Sequence, residues 1–266
     1  MVGLKGSDMF AIISDIHSNL EALTAVLDDI EKRGIKTIYC LGDIVGYAGN
    51  PRECLDLVIE KTENCVMGNH DYAVLYEPTN FNSGAESAAY WTRKVLEEET
   101  DTKKIEKRWN YLGNQKMRWT MQARLGEVDA YIDFVHGSPR RPVNEYIFPE
   151  DVYTTAGKMD ALFERVKHIC FIGHTHLPGV FLADPDFYPP DELGGKYPII
   201  PDEKAIINVG SVGQPRDRDN RASYVFVKEN EVHFVRLEYD YKAAAQKIYS
   251  IPQLDRFEGE RLSDGR

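Results

Sequence analysis

Apolar runs recur along this chain in lengths of four to seven residues, and the polar residues that follow them are unusually rich in Gly, Asp, Asn and His. MFAIISD (9–15) reads as a strand. In NLEALTAVLDDIEKRG (19–34), Leu20, Leu23, Ala25, Val26, Leu27 and Ile30 fall near the i, i+3, i+4, i+7 spacing of an amphipathic helix that stops at Gly34. KTIYCLGD predicts a second strand, PRECLDLVIEK a second helix with Pro51 at its start, and NCVMGN a third strand. The order βαβαβ implies a parallel sheet with helices on its faces.

Residues 72–128 break that rhythm. SAAYWTRKVLEEETDTKKIEKRWNYL is long, amphipathic and charged, and predicts a helical insertion of two helices over one end of the sheet, placed to act as a lid. DAYIDFVHG returns to strand, EDVYTTAGKMDALFERV predicts a helix and HICFIG another strand. PGVFLAD, AIINVGS, ASYVFVK and VHFVRLEY then follow at short spacing, which suggests a second, mainly antiparallel sheet. The proline-rich segment 184–203 reads as a surface loop, and YKAAAQKIYS as a final helix. Without repeats or a linker, residues 1–266 are expected to form one α/β domain.

Composition narrows the function. With 42% hydrophobic and 28% charged residues, the chain of 266 suits a globular core. Its formal charge of −11 argues against broad electrostatic binding to nucleic acid or to an anionic membrane, though not against a small anionic substrate at a cation-loaded site. No apolar run reaches a membrane-spanning length, and Met1–Phe10 shows no apolar signal region. Cys40, Cys54, Cys65 and Cys170 are scattered without C-x-x-C pairing, as expected of reduced thiols. The expected location is the cytoplasm.

The chemistry lies at the strand ends. FIGHTHLP sets His174 and His176 two residues apart, so that on extended chain both point the same way, after a Gly173 that permits a tight bend. SDIHSN supplies Asp15 and His17, GD supplies Asp43, GNHD supplies Asn69, His70 and Asp71, and HGSP supplies His136. The carboxyl ends of strands in an open α/β sheet share one edge, which would gather these residues into one cleft. Imidazole and carboxylate with an amide and no thiolate suit Mn, Fe, Co, Ni or Zn, rather than Ca or a sulfur-bound structural zinc.

In this order, DIH, GD, GNHD, HG and GHTH resemble the complete motif set of the calcineurin-like metallophosphoesterase superfamily, from about Phe10 to Leu237. GDIVGYAGNP, HGSP, GHTHLP and NVGSVGQPRD look most like its compact bacterial and archaeal phosphoesterases, except that Val209 stands where that group often has proline. The resemblance implies a two-sheet αββα sandwich and a dinuclear centre. Asp15, His17 and His176 would hold one metal, Asn69, His136 and His174 the second, and Asp43 would bridge them. It further implies phosphoester hydrolysis through a metal-bridging hydroxide, with His70 as acid to the leaving group. Asp71 would orient His70 or a ligand, or else cap the next helix. GDIVGYAG lacks the Asp-Arg pair of the serine/threonine phosphatases, which favours small phosphodiesters, nucleotides or phosphomonoesters over phosphoproteins. A non-catalytic metal-binding scaffold is the alternative, and a nuclease would favour a basic groove that is not visible.

Beyond that set, Arg216 and Asn19 are the candidates for contact with a substrate phosphate, with helix capping the favoured role for Asn19. Arg140, Arg141, Arg218 and Arg221 are weighed equally as phosphate contacts and as solvated charges. Tyr47 and Tyr72 are placed to line a cleft, while His168 and His233 match no motif and read as structural. Nothing in the sequence specifies an oligomeric state.

Overall fold

Residues 9–184 and 186–266 are described by the structure, a computed structural model. The reading of the first residues as free of a signal region lies largely outside them. In chain order the first half contains β1 (Phe10–Ile13), α1 (Leu20–Lys32), β2 (Thr37–Cys40), α2 (Pro51–Lys61), β3 (Asn64–Cys65), α3 (Asn69–Leu75), α4 (Ser83–Glu97), α5 (Thr102–Gly113), β4 (Arg118–Leu125) and β5 (Val128–Val135). The second contains α6 (Asp151–Thr154), α7 (Ala156–Phe163), β6 (Ile169–Ile172), β7 (Gly179–Leu182), β8 (Asp186–Tyr188), β9 (Lys196–Pro198), β10 (Ala205–Asn208), β11 (Ala222–Lys228), β12 (Glu231–Leu237), α8 (Tyr241–Ser250) and α9 (Arg256–Glu260).

These strands form two six-stranded sheets, ordered β3-β2-β1-β11-β12-β9 and β4-β5-β6-β10-β7-β8. Strand alternation shows how they stack. Phe10 and Ile12 of β1, Ile169 and Phe171 of β6, and Ala205 and Ile207 of β10 share one apolar cluster between the sheets. Their neighbours face outward: Ala11 and Ile13 meet α1 and α2 through Leu23, Val26, Leu55 and Val58, whereas Cys170 and Ile172 meet α7 through Met159 and Leu162. The result is an αββα sandwich whose central strands are buried on both faces, as their uninterrupted apolar runs require.

Three expectations need correction. The sheets do not divide into one parallel and one antiparallel. In the first, parallel β1, β2 and β3 continue into antiparallel β11, β12 and β9. In the second, β5, β6 and β10 are parallel, between antiparallel flanks. Segment 72–128 is not wholly helical, because it ends in β4, which pairs along its length with β5. Its helices α4 and α5 put Ala89, Leu96 and Leu112 into the outer core beside α2, so they thicken one face, and it is the connection from α3 to α4 that reaches the cleft. Segment 184–203 carries two short edge strands, β8 on β7 and β9 on β12. The four cysteines are free. Among the described residues no helix is long and apolar enough to cross a membrane.

Candidate metal centre

The turns that leave β1, β2 and β6 hold their polar residues in an uncommon backbone conformation. Asp15, His17, Asp43, His174 and His176 have φ of 55°, 50°, 51°, 67° and 60°. Left-handed backbone costs a non-glycine residue energy and persists only where the surroundings over-determine it. Here it swings successive side chains into one space. Gly173 is required there, since a Cβ would collide with Ser14 Oγ and Asp15 Oδ2.

Although the motifs come from both sheets, β1, β2 and β3 in one and β5 and β6 in the other, their carboxyl ends meet. Asp15, His17 and His176 bring ligand atoms within 4.8 Å of one another, and so do Asp43, His136 and His174. In the first group His176 Nε2 lies 3.2 Å from Asp15 Oδ1, and 3.2 Å from His17 Nε2. In the second, His136 Nε2 lies 3.3 Å from Asp43 Oδ2, 3.1 Å from His174 Nδ1 and 3.0 Å from Asn69 Oδ1. Asp43 Oδ2 is also 3.7 Å from His17 Nε2, which sets it between the groups. A third grouping of His17, Asp43 and His70 meets the same distance limit, so His70 borders the cluster closely.

The fit to cations follows from where the ring protons sit. His17, His136 and His176 direct Nδ1 at the carbonyls of Val45 (3.3 Å), Leu41 (2.9 Å) and Gln214 (2.5 Å). A carbonyl only accepts, so each neutral ring carries its proton on Nδ1 and turns an Nε2 lone pair inward. The Nε2 atoms of His17 and His176 therefore face each other lone pair to lone pair. Asp15 Oδ1 and His174 Nε2 are buried without a hydrogen-bond partner. Such a set is costly by itself and is satisfied by divalent cations, to which every inward atom is a donor.

Charge follows the same geometry. Burial raises Asp15 and Asp43, but the imidazoles of His176 and His136 outweigh it and hold both carboxyls far below the usual range. Burial lowers His136, yet Asp43 and Asp15 carry it up to about 9. Burial dominates at His17 and His174, which fall well below the ordinary value, and takes His70 down to about 4. Asp71 rises to about 7 through burial and the charge of Asp43.

Around this cluster the remaining candidates separate. His70, in the first turn of α3, donates its backbone N–H to Asp43 Oδ1 at 2.8 Å, and packs its ring 4.4 Å from Tyr47 and 4.7 Å from Phe81. Its Nδ1 is buried and unpaired. Asp71 accepts from the N–H groups of Ile44, Val45 and Gly68, so it pins the turn that carries Asp43. Asn19 caps α1 by accepting from Ala22 N–H at 3.1 Å and donates to Gly213 O at 2.8 Å, which commits its amide to the scaffold. Arg216 sits 5.8 Å from the Tyr47 ring, donates to Gln214 Oε1 at 2.7 Å and has a buried, unpaired Nε. Arg140 pairs with Glu145 and Arg221 with Asp219, away from the cluster. Tyr72 and Arg141 line a neighbouring cavity, while the side chains of His168 and His233 lie elsewhere.

Three contributors escape the motif reading. Gln214 aims His176 through its carbonyl and Arg216 through its side chain, and it donates to Glu258 Oε2 of α9 at 2.8 Å. Glu258 stands in a charged run that carries no signal of burial. Tyr146 stacks on the ring of His174 at 3.8 Å. Its only sequence hint is its place ten residues after His136.

Comparison with known proteins agrees with this arrangement. Residues 9–231 match the family model described as the calcineurin-like phosphoesterase superfamily domain. A Methanocaldococcus jannaschii protein described as uncharacterized is 40% identical over 265 residues, 97% of this chain and 98% of its own. The crystal structure of a metallophosphoesterase from Sphaerobacter thermophilus is 33% identical and superposes with a TM-score of 0.78, covering 98% of this chain and 100% of its own. A hypothetical protein from Pyrococcus horikoshii, 20% identical with a TM-score of 0.73 over 97% of this chain and 98% of its own, shares the fold.

Proposed function

The chain belongs to the calcineurin-like phosphoesterase superfamily, and from that premise we propose that it hydrolyses small phosphodiesters, nucleotides or phosphomonoesters at a centre of two divalent transition-metal ions. The observation that carries this reading is the convergence of Asp15, His17 and His176 beside Asp43, Asn69, His136 and His174, with the Nε2 atoms of His17 and His176 facing each other and Asp15 Oδ1 and His174 Nε2 buried without a partner. Bound divalent ions lower the pKa of water and neutralise phosphoryl charge.

The chain's own groups account for the rest. Asp43, lying between the two clusters, would be the carboxylate available to both ions. Arg216 offers its unpaired Nε to a phosphoryl oxygen, as guanidinium suits that geometry. A water oxygen, its proton given up to solvent, bonds to phosphorus, the P–O bond to the alcohol breaks, and the departing oxygen takes a proton from protonated His70, which regains it from solvent. Burial keeps His70 neutral at rest near pH 7, and the negative charge of an arriving phosphoester favours its protonation. Asp71 holds the Asp43 turn in place rather than moving a proton.

The test is turnover of bis-p-nitrophenyl phosphate and p-nitrophenyl phosphate by chelator-stripped protein after Mn, Co, Ni, Zn or Mg is restored. Metal-dependent turnover lost in both Asp43→Asn and His70→Ala is expected, and the ratio of the two ester rates assigns diesterase or monoesterase preference. Metal binding without hydrolysis of either ester would favour a scaffold, and failure to bind metal would sink the reading altogether.

A further inference from the structure

The family model ends at residue 231, yet the chain beyond it returns to the metal centre. Ile248 of α8, with Leu254 and Leu262 further on, shares one apolar cluster with Ala48, the residue after Tyr47. The short helix α9 is pressed against α8 at Gly259, where a Cβ would meet the Tyr249 ring at 2.5 Å. That seating carries Glu258 into the interior, where it is 4% exposed. A carboxylate held there has to be matched by partners.

The partners run in one line toward the cluster. Glu258 Oε2 accepts from Gln214 Nε2 at 2.8 Å and lies 3.4 Å from Arg261 Nη1. Burial pushes the Glu258 carboxyl up, against the charges of Arg261 and Arg216. Gln214 is also buried, and each of its polar groups has a partner. Its N–H donates to Ser211 Oγ at 2.8 Å, its carbonyl accepts from His176 Nδ1, Nε2 serves Glu258, and Oε1 accepts from Arg216 Nη2 at 2.7 Å. A carboxylate only accepts and a guanidinium only donates. The Gln214 amide therefore has to turn Nε2 to Glu258 and Oε1 to Arg216, because the reverse would set oxygen against oxygen and N–H against N–H. Without Glu258 that amide keeps a single anchor, the arginine itself, and the two side chains can shift together.

Arg216 is the group that this line delivers. Its guanidinium stands 5.8 Å from the ring of Tyr47, which packs 4.7 Å from His17 and 4.4 Å from His70. Burial, and then the charge of Arg216, lower His176, so that charge is felt within the cluster. An arginine fixed in one rotamer has lost its freedom before a ligand arrives rather than on binding, which strengthens whatever it holds.

We propose that Glu258 is a positioning residue for the phosphoryl group: through the amide of Gln214 it holds Arg216 beside the cluster, so that the segment beyond the family model contributes to phosphate binding. The proposal rests on the phosphoester reading and on the role that this reading gives Arg216.

The test uses metal-loaded protein and two readouts, kcat/KM for the faster of the two nitrophenyl esters and calorimetric titration with inorganic phosphate. Glu258→Met keeps the length of the side chain but cannot accept, and should lower kcat/KM and weaken phosphate binding about tenfold or more, with metal content unchanged. Glu258→Gln can still place an oxygen against Gln214 and should recover most of both. In an Arg216→Ala background Glu258→Met should have no further effect, because residues that act through one another are not additive. Should Glu258→Met fail to fold, Gln214→Met severs the same two bonds, keeps the carbonyl that His176 uses, and carries the same comparison. An effect that persists without Arg216, or that comes with loss of metal, would overturn the proposal and assign Glu258 to the scaffold around His176. Ester turnover and phosphate binding indifferent to Glu258→Met would overturn it and leave hydrolysis standing. Phosphate binding that depends on Glu258, with neither ester turned over, would overturn hydrolysis and leave the positioning role standing. Absence of both turnover and phosphate binding would overturn both.

Discussion

The seven histidines of this chain form two populations. His17, His70, His136, His174 and His176 crowd into one space at the strand ends. His168, before β6, and His233, in β12, do not. Burial barely separates the sets, for His168 at 7% exposure is nearly as enclosed as His174 at 4%. What separates them is what their polar atoms face: the Nε2 of His233 lies 3.3 Å from Glu231 Oε2. His168 donates Nε2–H to the carbonyl of Ile200 at 2.9 Å, and His233 lies flat on Phe226 at 4.5 Å and 7°. The site histidines turn lone pairs toward one another, and three of them stand in left-handed backbone. A buried imidazole becomes chemically informative when the fold holds it where, by itself, it is unfavourable.

The largest effect that would break this division is in activity. Loss of an outer-shell partner already costs a metal site about 10–100-fold, so His176→Ala should lower metal-restored turnover more than about 100-fold. The melting temperature of the metal-free variant should change little, because one of two facing lone pairs is removed. Comparable losses of activity and stability would place His176 with the structural set. Next in size is the strained turn. Gly173→Ala drives a Cβ into Ser14 and Asp15 and should destabilise by about 1–3 kcal/mol, read by urea unfolding. Gly113→Ala, at the open end of α5 with no atom within 4 Å of the new Cβ, should instead stabilise by a few tenths to about 1 kcal/mol. Equal effects would mean that the close approach at Gly173 is not a constraint.

The same division marks how far the sequence could be read. Each site histidine follows an apolar run directly, so strand position and motif reinforced one another, and the αββα class followed from the resemblance. Pairing was harder. Nothing local to β5 or β11 says which sheet it joins, because that choice is made by inner-face packing of residues such as Phe134 and Val225 against distant partners. In β4, Met121, Ala123 and Leu125 alternate inward while charged and polar residues alternate outward, a period of two masked by the helical stretch before it. The edge strands β8 and β9 are three residues each, too short to show any period. Glu258 was illegible because its burial comes from Gln214, 44 positions away.

Within the structural set, His168→Ala should leave turnover unchanged within about twofold and destabilise by about 1 kcal/mol, the usual worth of its bond to Ile200. A loss of activity on the scale of His176→Ala would show that the sets are coupled.

The smallest effect is a slope with pH, and it falls on His233. Burial, and then Lys196, lower its pKa below the ordinary 6.5, against the opposing pull of Glu231. Above pH 6.5 the ring is neutral in both folded and unfolded chains and has no pH-dependent influence. As pH falls below 6.5, the unfolded chain binds a proton that the folded protein resists, so stability declines until pH passes below the folded value. His233→Phe keeps a ring to stack on Phe226 but takes no proton. The melting temperature of the variant should therefore drop less than that of the wild type between about pH 7 and about pH 5. Identical drops would mean that the proton reaches His233 in the folded state as readily as in the unfolded chain, and that its packing leaves it as free as a solvated imidazole. A shallower slope would show that this imidazole is held neutral in the fold, chiefly by burial, the condition His17, His70 and His174 share before any cation is added.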